Sequence, residues 1–142
     1  MPPLAARKPF AGANLITIAT PDSARQAVQN FKRILHAQGL QLDSVGSDHL
    51  KTKGLVLAAA GVGASPTVQV FRVRAVRTVT GTLLVLTGEY AQDLGPKYHF
   101  TFPMRWLSPK NSSDNQACFV QAEIIAKSYP GGVIGYLQRP VK

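Results

Sequence analysis

Two arginines, Arg72 and Arg74, are the residues best spaced to do chemistry. They stand two apart in a Val-rich run from Thr67 to Thr78. In an extended strand, residues two apart share a face, which sets both guanidinium groups side by side and sends Arg77 to the other face unless a bulge intervenes. Guanidinium groups on an exposed strand face bind phosphate or carboxylate through two parallel N–H···O bonds. The plainer reading of the pair is a wetted sheet face, its long side chains covering apolar neighbours such as Val70 and Val76. Arg105, in an aromatic run, and Lys110, in the polar loop after it, are further candidates for binding an anionic ligand.

Other reactive residue types are thinly spread. His36, His49 and His99 fall on three separate expected elements, and none has a ligand-spaced His, Cys or carboxylate beside it. Asp48 adjoins His49, but adjacent strand residues point to opposite faces. The carboxylates are Asp22, Asp43, Asp48, Glu89, Asp93, Asp114 and Glu123. Asp22 and Asp114 read as helix-start residues, and no paired arrangement for acid–base work stands out. Gly61-x-Gly63 follows an apolar run, yet a dinucleotide fingerprint needs a third glycine and a helix after it, and here Pro66 leads into the Val-rich strand. No G-x-S-x-G elbow or P-loop is present. Cys118, the single cysteine, has no internal disulfide partner and reads as a small buried apolar residue. No catalytic, cofactor-binding or metal-binding residue is therefore expected, and the pattern leans toward a chain that is not an enzyme.

Charge points toward a class of partner. With 16 Lys and Arg against 7 Asp and Glu, the formal net charge is +9, which favours nucleic acid, anionic lipid headgroups or acidic glycans. The basic residues are scattered in runs of no more than two, which is also what a merely well-solvated surface requires.

These side chains have to be positioned by a small set of elements. Asn14 to Ala19 is short, rich in β-branched residues and bounded by polar ones, so it reads as a strand. Thr20-Pro21 predicts a helix start, Thr20 as N-cap and Pro21 in the first turn. Ala24, Val28, Phe31 and Leu35 form an apolar stripe at helical period, and Gly39 ends it. Leu40 to Val45, a Gly46-Ser47-Asp48 turn and His49 to Leu57 make a hairpin. Ala58 to Pro66 reads as a flexible small-residue loop, with a lid over a site as the alternative. The segments 67–78 and 82–91 form a long hairpin around Gly81. Tyr98 to Leu107 alternates, with Tyr98, Phe100, Phe102, Met104 and Trp106 on one face, and Pro103 marks an edge strand or a bulge. Gln116 to Tyr129 is a second helix capped by Ser113 or Asp114, with Cys118, Ala122, Ile125 and Tyr129 on one stripe. Pro130-Gly131-Gly132 stops it, and Val133 to Leu137 is a last strand.

The expected fold is α+β, in the order β-α-β-β-β-β-β-α-β. A mostly antiparallel sheet of five to seven strands carries two helices on one face. Residues 1–13 form a flexible lead, 14–138 a single domain and 139–142 a tail. No apolar run reaches the roughly 18 residues of a membrane span.

The runs N-L-I-T-I-A-T-P-D-S-A, F-K-R-I-L-H-A-Q-G-L-Q-L, S-D-H-L-K-T-K and G-T-L-L-V-L-T-G-E-Y resemble small uncharacterised bacterial envelope proteins and lipoproteins of β-α-β(4–5)-α layout, described as helix-grip or TBP-like. The resemblance implies a non-catalytic envelope binding module whose partner is a protein or an anionic envelope polymer. It places the chain in the periplasm or envelope if an export signal was removed, and otherwise in the cytoplasm. Charge supports an alternative, a cytoplasmic nucleic-acid-binding domain using Arg72, Arg74, Arg105 and Lys110. A third reading is a small-molecule-binding protein with a pocket under the 58–66 loop.

Overall fold

The computed structural model describes residues 6–57, 67–92, 102–110 and 113–139. Its elements, in chain order, are β1 (Leu15–Thr20), α1 (Ala24–Ala37), β2 (Leu42–Val45), β3 (His49–Thr52), β4 (Leu55–Leu57), β5 (Thr67–Thr78), β6 (Gly81–Gln92), β7 (Phe102–Pro103), α2 (Asp114–Lys127) and β8 (Val133–Leu137). The strands form one antiparallel sheet in the order β2-β3-β5-β6-β1-β8, with β4 on β5 and β7 on β6.

The expected α+β class, with its antiparallel sheet and two helices on one face, is what the chain adopts. The segment 49–57 is broken into two strands, both paired with β5: Lys51 opposes Arg72, and Leu55 opposes Gln69. Four residues of advance on one strand match three on the other, so a bulge at Lys53-Gly54 takes up one extra residue. Gly54 suits that point, because a Cβ there would lie 2.5 Å from Val68 Cγ1. Counted as one bulged strand, β3 and β4 restore the seven-strand order read from the sequence.

One side of the sheet is dry. Ile16, Ile18, Leu50, Phe71, Val73, Leu84, Leu86 and Tyr136 point into a core shared with Ala27, Val28, Phe31 and Leu35 of α1 and with Cys118, Phe119, Ala122 and Ile125 of α2. Burying each large apolar side chain contributes about 1.5–3 kcal/mol before chain entropy is counted against it.

Helix α1 is capped by Ser23, whose Oγ accepts from Gln26 N at 3.2 Å, and not by Thr20. Thr20 remains in β1 and uses its Oγ1 to accept from Asp22 N at 3.2 Å, closing the bend that leads into the helix. The helix ends as the sequence predicts: Gly39 has φ +81°, Gly39 N donates to His36 O and Leu40 N to Leu35 O, the paired bonds of a Schellman motif. Ser113 caps α2.

The long hairpin turns through Val79-Thr80, and Gly81 lies so near the end of β1 that a Cβ would overlap Thr20 O. Among the described residues, the strand expected over 98–107 pairs with β6 at Phe102 and Pro103, and Met104 N adds one more backbone bond, to Gly88 O of β6 at 2.9 Å. Beyond Met104 the chain crosses to the lead-in of β1, where Trp106 N donates to Ala13 O and Gly12 N to Trp106 O. The sheet also reaches back into segment 1–13, where Ala6 bridges Tyr136.

Candidate functional site

With both helices on one face, the opposite face is exposed at His49, Arg72 and Arg74, while Leu15 and Thr17 of β1 are buried on it. The register decides what that face presents. Lys51 on β3 pairs with Arg72 on β5, and His49 pairs with Arg74. On the far side of β5, Arg72 faces Thr87 and Arg74 faces Val85 on β6. On the near side, Ser44 of β2 pairs with Lys51. One row across four strands therefore reads Ser44–Lys51–Arg72–Thr87, two cations between two hydroxyls. A parallel row reads His49–Arg74–Val85.

These residues line a depression of about 330 Å³, and Arg139 closes one side of it. Arg139 is brought there by a two-way clasp: Arg139 N donates to Asn14 Oδ1 and Asn14 Nδ2 to Arg139 O, both at 2.8 Å. His49 is held at the rim by the 46–49 turn, where Gly46 N donates to His49 O at 2.8 Å. Its ring lies so close to Gly46 that a Cβ there would overlap it.

Two of the cations and the histidine each have a carboxylate beside them. Arg72 Nη2 lies 3.1 Å from Glu89 Oε1, Lys51 Nζ 3.8 Å from Asp43 Oδ2, and His49 Nδ1 3.2 Å from Asp48 Oδ1. The last contact joins chain neighbours that alternation alone would have sent to opposite faces, and the turn makes it possible. Among the described residues, Arg74 and Arg139 have no carboxylate within ion-pairing distance. Ser44, His49 and Asp48 all lie near the depression, but no hydrogen bond joins Ser44 to His49, so nothing there prepares Ser44 Oγ as a nucleophile.

The structure thus brings Arg72 and Arg74 together, as their spacing predicts, with Arg77 on the opposite side of β5. Arg105 is elsewhere: its N–H donates to Asn115 O at the start of α2. Neither Arg105 nor Lys110 is among the described residues lining the depression. His99 and the 58–66 loop, with the pocket expected under it, lie outside the described residues. Lys51, His49 and Arg139 are additions that no local pattern announces. For Lys51 and His49 the signal is alternation in the hairpin, which puts 49 and 51 on one face and becomes informative once the partner strand is known; Arg139 comes in through its bonds to Asn14.

The remaining polar clusters tie helices down. Tyr129 Oη donates to Asp22 Oδ2 at 2.6 Å, and Asn30 Nδ2 donates to that same oxygen at 3.2 Å, which joins the end of α2 to the start of α1. The Tyr129 bond holds the Asp22 carboxyl below its usual range, while burial pushes the Tyr129 phenol up. Tyr136 Oη donates to Glu123 Oε2 at 2.6 Å, fixing β8 to α2, and burial together with that bond raises the Tyr136 phenol far above its usual range. Cys118 is fully buried, and its thiol is pushed up to about 12 by burial first and by the Glu89 charge second.

Among the described residues, no group of three or more His, Cys, Asp or Glu could hold a metal ion, and no helix is long and apolar enough to cross a membrane. The chain matches no protein-family model and no curated protein.

Proposed function

We propose that this chain is a non-catalytic binding module that takes an anionic ligand on the open face of its sheet. The observation that carries the reading is the direct opposition of like charges, Lys51 to Arg72, within one depression that Arg74 and Arg139 also line. Like charges placed directly opposite destabilise a sheet, and an anion seated between them removes that penalty. The geometry at Ser44, His49 and Asp48 supports binding over catalysis, since no activated nucleophile results.

The resemblance to helix-grip or TBP-like envelope proteins supports the cell envelope as the setting, with an anionic envelope polymer or an acidic protein as partner. The net charge of +9 supports nucleic acid as the second reading. Both use the same cations, so one titration examines both. A labelled single-stranded oligonucleotide and a sulfated glycan of similar charge are each titrated with the chain at several salt concentrations.

The expected result is binding whose log K falls with log salt at a slope of about −2 to −3 for three or four phosphate contacts on a single strand. Arg72→Ala with Arg74→Ala should weaken binding and flatten the slope by more than one unit. Unchanged affinity and slope in that double variant would remove the open face from the reading. Fractionation of cells expressing the complete gene separates the settings: envelope recovery with a cleaved leader supports the first, and cytosolic recovery with an intact N-terminus supports nucleic acid.

A further inference from the structure

The open face is basic at one end and apolar at the other. Register lines up four aliphatic side chains in a single row. Val76 of β5 opposes Leu83 of β6, Leu83 opposes Ala19 of β1, and Ala19 opposes Val133 of β8. Alternation along β5 puts Val76 on the same face as Arg72 and Arg74, away from the helices. Val76 is 38% exposed and Val133 47%, Ala19 is exposed and Leu83 is half-buried. With strands about 4.8 Å apart, the row runs about 14 Å across the sheet. Single aliphatic residues on a surface are ordinary, but a contiguous row rimmed by charge marks a contact surface.

Val79 carries the apolar surface beyond the sheet. It is the first residue of the two-residue turn between β5 and β6 and is fully exposed. Such turns favour Gly, Asn or Asp, which take a left-handed backbone at low cost, and here neither Val79 nor Thr80 has a positive φ. A β-branched apolar residue at that tip serves neither the turn nor the core. Arg74 lies on the face two residues inward of Val76, about 7 Å along the strand, and Arg77 follows Val76 on the other face. Among the described residues, neither has a carboxylate within ion-pairing distance. This end of the sheet is therefore layered: an aliphatic tip, an aliphatic row, then two cations on long side chains.

Resting on the open-face reading, we propose that this end of the sheet docks on the surface of an anionic membrane. Val79 and the row behind it enter the boundary between headgroups and acyl chains, while Arg74 and Arg77 stay among the phosphates. A soluble polyanion has no use for an aliphatic row, so the row is what selects a lipid surface among anionic partners. A second copy of the chain fits poorly, since pairing two such ends brings their arginines together on chains of net charge +9. Protein interfaces centre on aromatic and arginine anchors seated in pockets, whereas this surface projects and its apolar residues are Val, Leu and Ala.

Sedimentation with vesicles of phosphatidylglycerol in phosphatidylcholine, against phosphatidylcholine alone, measures the affinity, and the single-stranded oligonucleotide is titrated in parallel. Binding to the anionic vesicles is expected. Val79→Asn, a better turn residue that should leave the fold intact, is expected to weaken it about tenfold, the worth of burying one aliphatic side chain, and to leave oligonucleotide binding unchanged. Arg74→Gln with Arg77→Gln should weaken vesicle binding about fivefold per charge at low salt. Because Cys118 is buried, Val79→Cys gives one accessible site for an environment-sensitive fluorophore. Its emission should shift to the blue on anionic vesicles, while the same label at Arg33→Cys, on the exposed side of α1, stays unchanged.

A label at position 79 that stays wet on vesicles carrying the chain, or vesicle binding indifferent to Val79→Asn, overturns the inference in favour of charge alone. Absence of vesicle binding overturns it as well. If the oligonucleotide or sulfated glycan then still binds through Arg72 and Arg74, the open-face module stands, and if neither binds, both readings fall. Self-association lost in Val79→Asn, without vesicle binding, reassigns the row to a contact between copies.

Discussion

Lys51 and Arg72 stand directly opposite one another on β3 and β5, two cations on the same face of the sheet. Each leans on a carboxylate at its outer side, Lys51 on Asp43 and Arg72 on Glu89, and the space between them opens into the depression. Replacing one cation should therefore stabilise the empty protein. Lys51→Thr is expected to gain up to about 1 kcal/mol in urea unfolding at low salt, the upper range for cross-strand pairs. The exposed pair with Asp43 gives little back when lost. High salt should erase the difference by screening. A loss of stability at low salt would mean that Lys51 serves the fold, and the electrostatic reading of the open face would weaken.

Gly88 pairs with Phe71 across β5 and β6, and the Phe71 ring lies over it. An added Cβ would meet the ring at 2.9 Å and Met104 Sδ at 3.1 Å. Gly88→Ala should cost about 1–3 kcal/mol by overpacking. Phe71→Leu in the Gly88→Ala background should cost less than Phe71→Leu alone, because the smaller side chain makes room. A double-mutant cycle in urea reads the coupling.

The Cys118 thiol, pushed up to about 12 by burial, should resist alkylation at pH 8 until the chain unfolds. Because the folded state keeps its proton while the unfolded thiol releases it, stability attributable to Cys118 is complete below about pH 9 and is lost as pH rises toward 12. Cys118→Ala should flatten that alkaline limb. Rapid native-state labelling by iodoacetamide would contradict the packing around α2.

The Asp22 carboxyl is held low, chiefly by the Tyr129 hydroxyl. The sign is the reverse of the thiol's: its stabilisation is present above the unfolded carboxyl value of about 3.9 and is lost as pH falls through the lower folded value. Asp22→Asn and Tyr129→Phe should each reduce the steepness of acid unfolding followed from pH 6 to 2. The double variant should add little to either single change if the two groups act through one hydrogen bond.

Ser23→Ala should cost about 1 kcal/mol, the usual worth of an N-cap, whereas Thr20 acts outside the helix. Comparing Ser23→Ala with Thr20→Val in helix-probe hydrogen exchange tests which residue starts α1. Sequence alone places that start at Thr20, because Thr-Pro is a standard helix-start pair. Only the path of the chain leaving β1 decides between Thr20 and Ser23.

Much of the architecture was legible for a local reason. The stripes of α1 and α2, the Gly39 stop, the two hairpins and the final strand from Val133 each follow from periodicity, caps and turn residues within a dozen positions. The shared face of Arg72 and Arg74 follows from alternation in the same way. Joining Lys51, His49 and Arg139 to those arginines is a different kind of fact. It depends on the register between β3 and β5, on the bulge at Lys53-Gly54 and on the clasp between Asn14 and Arg139 near opposite ends of the chain. A slip of one residue in that register would turn Lys51 and His49 into the core, and burying Leu50 and Thr52 against the helices excludes the slip. The sequence by itself determined which side chains share a strand face, because that is written in spacing. Tertiary structure alone decided which faces meet, because register between distant strands is set by the whole core.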